Sequence, residues 1–367
     1  MHLVGAAEIS RTGAVRDTAR DTLVDGLRGF AIAAMLVAHG APLLGKLPSV
    51  PGAAFDALND VASPLFALVM GMAGLIVLKR GDTAVSFVSV KAVQGLLLIV
   101  AGLLLMSLHT WVGVVLPQLG LVLILGAPLL LLPARWLGWA AGLAFLAGPV
   151  IVMITGLLVP ATWVTQPESG PQLLQWLVTG RQYRLTSLLP FFLLGAFLYS
   201  TRALYHLRQS RALLWSGLAL TVAWYPAASF ARASGAGFLV TSGGYLDLVR
   251  DLGLVALVTG VAGLAAGARR KQVQRLARLP ITILAGPGKL ALSLYAAHVL
   301  VLLPISYAMV AQSPAVRALT FVAFVVGLLL AGWLWARFLG KGPLEALMTW
   351  VGGLVRKLTG KTVAHAA

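Results

Sequence analysis

The sequence predicts an all-α, polytopic integral membrane protein, a helical bundle of about ten transmembrane helices with its N- and C-termini in the cytoplasm. Hydrophobic residues make up 59% of the 367 positions, whereas charged residues make up only 11%. Soluble domains contain roughly 25% charged residues, so lipid must surround most of this chain. The 40 glycines fit the same environment, because small residues let membrane helices approach one another closely.

Each predicted span meets the requirement of about 20 mostly apolar residues for crossing the hydrocarbon core. The spans lie at 23–44, 58–78, 88–108, 112–132, 136–158, 184–201, 212–230, 247–267, 283–307 and 316–338. Pro117, Pro128 and Pro133 interrupt the region around the fourth span. This assignment divides the chain into a cytoplasmic leader at 1–22, a transmembrane domain at 23–340 and a cytoplasmic tail at 341–367.

The distribution of positive charge predicts the orientation. The net charge is +17, and most of the 28 Lys and Arg residues fall in the segments that this orientation places in the cytoplasm. They are scattered among apolar runs instead of forming a basic domain, which argues against nucleic-acid binding. The absence of cysteine excludes disulfides, thiolate metal sites and a cysteine nucleophile.

The tail has the pattern of an amphipathic helix. Pro343 can begin the helix, and apolar residues recur after it at helical spacing: Leu344, Leu347, Met348, Val351, Leu354 and Leu358. Arg356 and Lys357 add positive charge nearby. We expect this helix to lie along the inner surface of the membrane.

The first span contains polar residues that are costly inside a bilayer and therefore indicate function. Asp25, Arg28 and His39 lie on one helical face, with Arg28 and His39 about 16 Å apart along the axis. Asp25 can neutralise Arg28 near the cytoplasmic edge. The alternatives are a buried or snorkelling ion pair for Asp25 and Arg28, and a helix–helix hydrogen bond for His39.

The ninth and second spans add further polar residues. Lys289 lies near the inner edge of the ninth span, and His298 lies nine residues deeper, at a depth similar to that of His39. Asp60 lies in the outer half of the second span, where its carboxylate could orient an imidazole. The structural alternative for Asp60 is an N-cap at an outer helix end.

These residues resemble the transmembrane acyltransferase superfamily. Arg28-x10-His39 matches a signature of acyltransferase family 3, and GKLALSLYAAHVLVLLP, beginning at Gly288, is similar to a later helix of that family. The segment from Asp60 to Gly71 resembles the second helix of the heparan-α-glucosaminide N-acetyltransferase family. Segments 189–195 and 342–345 resemble the YeiB-like branch.

The resemblance implies a membrane-embedded O-acyltransferase. It would move an acyl group, acetyl above all, from cytosolic acetyl-CoA or another acyl-CoA to a hydroxyl of an extracytoplasmic glycan or glycolipid, without a metal. His39 would be the general base, oriented by Asp60 or His298. The CoA phosphates would meet a basic set: Arg28 with its partner Asp25, Lys289, Arg269 and Arg270. The expected location is a bacterial cytoplasmic membrane.

Two other functions are compatible with the residues alone. A transporter or exporter of a lipid-linked or small polar substrate would also place His, Asp and Arg within a bundle. Such proteins often show two related halves with broken helices, and no such repeat is evident in this sequence. A non-catalytic partner that retains the scaffold is a third reading, and the sequence leaves homo-oligomerisation open.

Overall fold

The structure is a computed structural model that describes residues 21–45, 49–267, 271–308 and 312–361. Every regular element within these ranges is helical, which confirms the predicted all-α class. We number the principal helices in chain order: α1 Thr22–Gly40, α2 Ser49–Leu78, α3 Ala84–Met106, α4 Leu116–Gly126, α5 Ala134–Leu158, α6 Leu185–Ser200, α7 Leu207–Ala233, α8 Tyr245–Gly267, α9 Lys271–Gly288, α10 Ala291–Ala308, α11 Pro314–Phe338 and α12 Pro343–Lys361.

Within the described part of the chain, 7 helices are long and apolar enough to cross a membrane: α1, α2, α3, α5, α7, α8 and α11. The bent pair α9–α10 would make an eighth span, with an angle of 72° between its halves. The two remaining predicted spans correspond to α4 and α6, which are shorter apolar helices. Helix α4 ends at Gly126, and Pro128 begins a tighter 3₁₀ turn, because proline lacks the N–H that would continue the α-helix.

Helix α1 runs through the interior of the bundle and packs closely against α9. A Cβ on Gly29 would overlap the backbone oxygen of Leu284, and a Cβ on Gly288 would overlap that of Asp25. The two backbones can therefore approach only because both positions are glycine. This contact holds the α9–α10 bend against the half of α1 that carries Arg28.

Helices α2 and α6 form the second close contact of the interior. Gly71 of α2 faces the backbone oxygen of Phe192, and Gly195 of α6 faces that of Leu68, each without space for a Cβ. The peripheral helices differ, since α5 leaves Leu157 and Leu158 each 80% exposed. Large exposed apolar side chains are expected where the surrounding solvent is lipid.

Helix α12 is the amphipathic helix that the tail sequence predicts, and it packs against the bundle. The guanidinium of Arg356 donates two hydrogen bonds of 3.0 and 2.9 Å to the carboxylate of Asp82, in the turn between α2 and α3. The side chain of Gln94 on α3 donates to the backbone oxygen of Met348 at 3.1 Å. Leu347, Trp350, Leu354 and Leu358 are exposed on α12.

Candidate active site

Two cavities lie toward opposite ends of α1. The first, which we call the Arg28 cavity, has a volume of about 310 Å³ and is lined by residues of α1, α2, α3, α4, α10 and α12. The second, the His39 cavity, has about 350 Å³ and lies beside the last turn of α1. A narrow space of about 10 Å³ between them shares Phe66 and Tyr295 with the first and His39 and Tyr183 with the second.

The two histidines expected at similar depth are in direct contact. Nδ1 of His39 lies 3.0 Å from Nε2 of His298, and the rings are nearly parallel, at 18°. One N–H must lie between these nitrogens, so a neutral pair in which His39 donates leaves its Nε2 with a free lone pair. His298 is completely buried, whereas His39 is half-buried and lines the His39 cavity.

Tyr295 supports this pair from the same helix as His298. Its ring packs edge-on against the His298 imidazole, with centroids 5.0 Å apart. Its phenol oxygen accepts a hydrogen bond of 3.0 Å from the backbone N–H of Val115, which leaves the phenol O–H as a donor. Tyr295 lines both the Arg28 cavity and the narrow space beside His39.

The segment between α3 and α4 adds a contact that the sequence analysis did not identify. Nε1–H of Trp111 donates a hydrogen bond of 3.0 Å to the backbone oxygen of His39. This contact holds the end of α1, and Trp111 also lines the His39 cavity. Tryptophan at a helix end reads most simply as an interfacial anchor, so its role beside the histidine pair was not evident from the sequence.

Asp60 lines the His39 cavity, but its ionic partner is not an imidazole. Its carboxylate forms an ion pair with Arg250 of α8, and Asn59 donates to it at 3.5 Å. The guanidinium of Arg250 also lies 4.6 Å from the ring centroid of Trp224, a cation–π contact. Helix α2 begins at Ser49, so the alternative reading of Asp60 as an N-cap is wrong.

The polar character of the His39 cavity comes from several elements. Its lining includes three carboxylates, two amides, hydroxyls and one cation: Asp60, Asp247, Asp251, Asn59, Gln182, Ser63, Ser187, Ser242, Tyr183 and Arg181. The phenol of Tyr183 is protonated at neutral pH, since burial raises its pKa further above an ordinary value that is already well above 7, and it can therefore donate a hydrogen bond. Such a surface suits a ligand rich in hydroxyl groups.

The Arg28 cavity brings together three cations from different parts of the chain. The guanidinium of Arg28 bonds the Asp25 carboxylate at 3.2 Å, as the sequence predicts, and Arg28 and Lys289 both line the cavity. Lys91 lines it as well, and its ammonium donates to Gln94 at 3.0 Å. The sequence analysis did not single out Lys91, because one lysine near a helix start is a weak signal. Arg269 and Arg270 lie outside the described residues.

The rest of the Arg28 cavity is largely apolar. Phe66, Met70, Leu98, Leu116 and Leu119 contribute to its walls, and Glu345 is its single lining carboxylate among the described residues. The cavity therefore combines cations with a long apolar surface. A ligand with phosphates at one end and a thin, weakly polar arm would match this pattern.

Comparison with known proteins shows the family of the chain. The acyltransferase family 3 domain matches residues 22–336, which is most of the chain and includes both histidines. A search of curated proteins finds none that matches. The match decides between the enzyme and the transporter in favour of the enzyme. The chain belongs to acyltransferase family 3 and is a multi-pass membrane acyltransferase.

Proposed function

We propose that this protein transfers an acetyl group from cytosolic acetyl-CoA to a hydroxyl of a glycan or glycolipid on the other side of the membrane. The observation that supports this most directly is the arrangement of the two cavities. They approach each other at a narrow space beside His39, one with cations and apolar walls and the other with polar walls. A donor and an acceptor arriving from opposite sides would meet at this histidine.

The donor fits the Arg28 cavity by charge and length. Arg28, Lys91 and Lys289 would contact the phosphates of CoA through charge-assisted hydrogen bonds. The eleven positions from Arg28 to His39 correspond to about 16 Å of helix, along which the pantetheine arm can extend. The narrow space of about 10 Å³ beside His39 favours a small acyl group such as acetyl.

The chemistry follows from the histidine pair. Nε2 of His39 accepts the proton of the acceptor hydroxyl while the hydroxyl oxygen attacks the carbonyl carbon of the thioester. The C–S bond then breaks, and the departing sulfur takes the proton from His39, giving an ester and free CoA. His298 accepts the hydrogen bond from Nδ1 of His39 and so holds the tautomer that this requires.

Tyr295 is suited to stabilise the negative charge that develops on the thioester oxygen. Its own oxygen is already held by the Val115 N–H, so the phenol proton can point into the narrow space. A fixed donor at the developing oxyanion stabilises the transition state more than the ground state. Asp60 would act on the acceptor side, in the wall that recognises hydroxyl groups.

The proposed orientation places the end of α1 that carries Arg28 in the cytoplasm of a bacterial membrane, with α4 and α6 completing ten crossings. Because the chain has no cysteine, a single introduced cysteine shows on which side of the membrane its position lies, without labelling at any other position of the chain. We expect a membrane-impermeant maleimide to label Gln166→Cys in intact cells and Arg80→Cys only after permeabilisation. Labelling of Arg80→Cys alone in intact cells would reverse the orientation, and protection of both would remove α4 as a crossing.

Calorimetry with acetyl-CoA tests the donor assignment on the full chain in nanodiscs. We expect micromolar binding that Arg28→Ala weakens and His39→Ala preserves, because Arg28 would contact the CoA phosphates and His39 would not. A folded wild-type protein that binds neither acetyl-CoA nor longer acyl-CoAs would contradict the proposed donor. Transfer at the normal rate by His39→Ala would instead contradict the proposed base.

A further inference from the structure

The first turn of α12 forms a network of hydrogen bonds with the start of α10. Oε1 of Glu345 accepts from the backbone N–H groups of Leu292 and Ser293, at 2.8 and 3.1 Å. Oε2 accepts from the hydroxyl of Ser293 at 2.5 Å, and the N–H of Leu344 donates to the same hydroxyl oxygen at 3.1 Å. We call the hydrogen bonds among Leu292, Ser293, Leu344 and Glu345 the Glu345 cap.

The bend between α9 and α10 explains why this cap matters. The first N–H groups of a helix have no partner within the helix, and they attract negative charge. Helix α10 restarts at Ala291 after a bend of 72°, so its first turn needs an external acceptor. Glu345 supplies the acceptor from a helix more than 50 positions later in the chain.

The tight geometry of the cap extends to the residues before Glu345. A Cβ on Gly342 would overlap Oε2 of Glu345 and the hydroxyl of Ser293, so a larger residue there would displace these two side chains from the cap. Pro343 then begins α12. The Gly-Pro-Leu-Glu segment is thus shaped to bring one carboxylate to the start of α10.

The cap acts on the helix that carries the chemistry. Tyr295 and His298 follow Leu292 on α10, and His298 lies about 9 Å further along the axis. On the other side, Glu345 and Met348 form part of the wall of the Arg28 cavity, and the Met348 carbonyl holds Gln94, the partner of Lys91. One carboxylate therefore connects the donor cavity to the helix of the histidine pair.

We propose that Glu345 is a positioning residue for acyl transfer, which holds α10 so that His298 stays against His39 while α12 closes the donor cavity. This inference rests on the proposed function of the Arg28 cavity. It also gives a role to α12, which lies beyond the family match at 22–336. Loss of the cap should both lower the affinity for the donor and disrupt the contact between His39 and His298.

The test compares three variants of the full chain in nanodiscs. Glu345→Ala removes the cap, Glu345→Gln keeps an amide oxygen but no charge, and Glu168→Gln makes the same chemical change at an exposed position in the segment after α5. Calorimetry measures the Kd for acetyl-CoA. Nitrogen NMR of ¹⁵N-labelled histidine reports the shared N–H between His39 and His298 among the 6 histidines.

We expect Glu345→Ala to weaken acetyl-CoA binding by about tenfold or more and to remove the shared-proton signal, because charge-assisted hydrogen bonds are lost. Glu345→Gln should fall between it and wild type, and Glu168→Gln should match wild type. If Glu345→Ala does not fold, Ser293→Ala removes the two hydrogen bonds of the Ser293 hydroxyl and keeps those from the two backbone N–H groups. It should shift both readings in the same direction, by less.

Two results would overturn the inference. One is that the variants of the cap bind acetyl-CoA as tightly as wild type and keep the NMR signal of the N–H shared by His39 and His298. The other is weakened donor binding with an unchanged histidine signal, since α12 would then be only a wall of the cavity. Absence of acetyl-CoA binding by wild type is a different outcome, because it contradicts the proposed donor site itself.

Discussion

The two cavities of this protein lie along one helix and have similar volumes, yet the chemistry of their walls differs. The Arg28 cavity has cations and apolar walls, and one carboxylate, Glu345, whose oxygens are engaged by α10. The His39 cavity has carboxylates, amides and hydroxyls, with an ion pair between Asp60 and Arg250. The proposed function assigns the acyl donor to the first surface and the acceptor to the second.

The comparison gives a reason why the proposed general base, His39, lines both the polar cavity and the narrow space between the two cavities. His39 can contact an acceptor from the polar side, while Tyr295 borders the apolar side and the narrow space. A general base that acts on two substrates must be able to contact both of them. The narrow space between the cavities also limits the access of water to this base. Substitutions in the Arg28 cavity should therefore change donor affinity, and substitutions in the His39 cavity should change the kinetics of the acceptor.

The largest effect on the rate of transfer is expected from a substitution of His39, which lines the narrow space between the cavities. His39→Ala should lower the rate of acetyl transfer by about 10²–10⁴-fold, the typical contribution of a positioned general base, and leave the Kd for acetyl-CoA unchanged. Transfer from radiolabelled acetyl-CoA to membrane glycan, measured beside calorimetry, checks both values. A rate near that of wild type would remove His39 from the chemistry.

Tyr295→Phe should have the next largest effect. It keeps the ring that packs on His298 but removes the hydroxyl, so kcat should fall by about 10²-fold with little change in donor affinity. Tyr307→Phe, on the same helix but 78% exposed, is the matched control. A lower donor affinity with unchanged kcat would show that Tyr295 binds the donor and does not stabilise the oxyanion.

Cations of the Arg28 cavity should affect donor binding alone. Arg28→Gln or Lys91→Gln should each weaken acetyl-CoA binding by about tenfold, in line with the loss of a hydrogen bond to a charged group. Acceptor KM should not change, because neither residue borders the His39 cavity. Arg135→Gln, at an exposed position at the start of α5, controls for the loss of one positive charge.

The smallest expected effect is at Trp111. Trp111→Phe keeps an aromatic ring but removes the hydrogen bond to the His39 carbonyl, a loss of about 1 kcal/mol. We expect kcat/KM to fall about fivefold and donor affinity to stay constant. Equal decreases in donor affinity and kcat/KM would contradict the assignment of Trp111 to the acceptor side.

Sequence and structure agree best where a local pattern decides the outcome. The long apolar runs predicted the spanning helices, since lipid requires each helix to satisfy its own backbone. Spacing along α1 placed Asp25 beside Arg28, which the structure confirms at 3.2 Å. Helices α4 and α6 were less predictable as spans, because both are short for the hydrocarbon core and proline interrupts the region around α4.

The partners of the site residues required the tertiary structure. Nothing in the local sequence distinguishes an Asp60 that faces an imidazole from one that pairs with Arg250, which is 190 positions away. Lys91, Trp111 and Glu345 are likewise defined by contacts between distant helices.

The sequence by itself determined the membrane class, the family signature and the two histidines at a common depth, because hydropathy and helical period are properties of each segment alone. Only the tertiary structure decided which polar groups meet, where the cavities open and how α12 holds α10. The physical reason is that hydrogen bonds and ion pairs act over about 3 Å, so they depend on how helices pack.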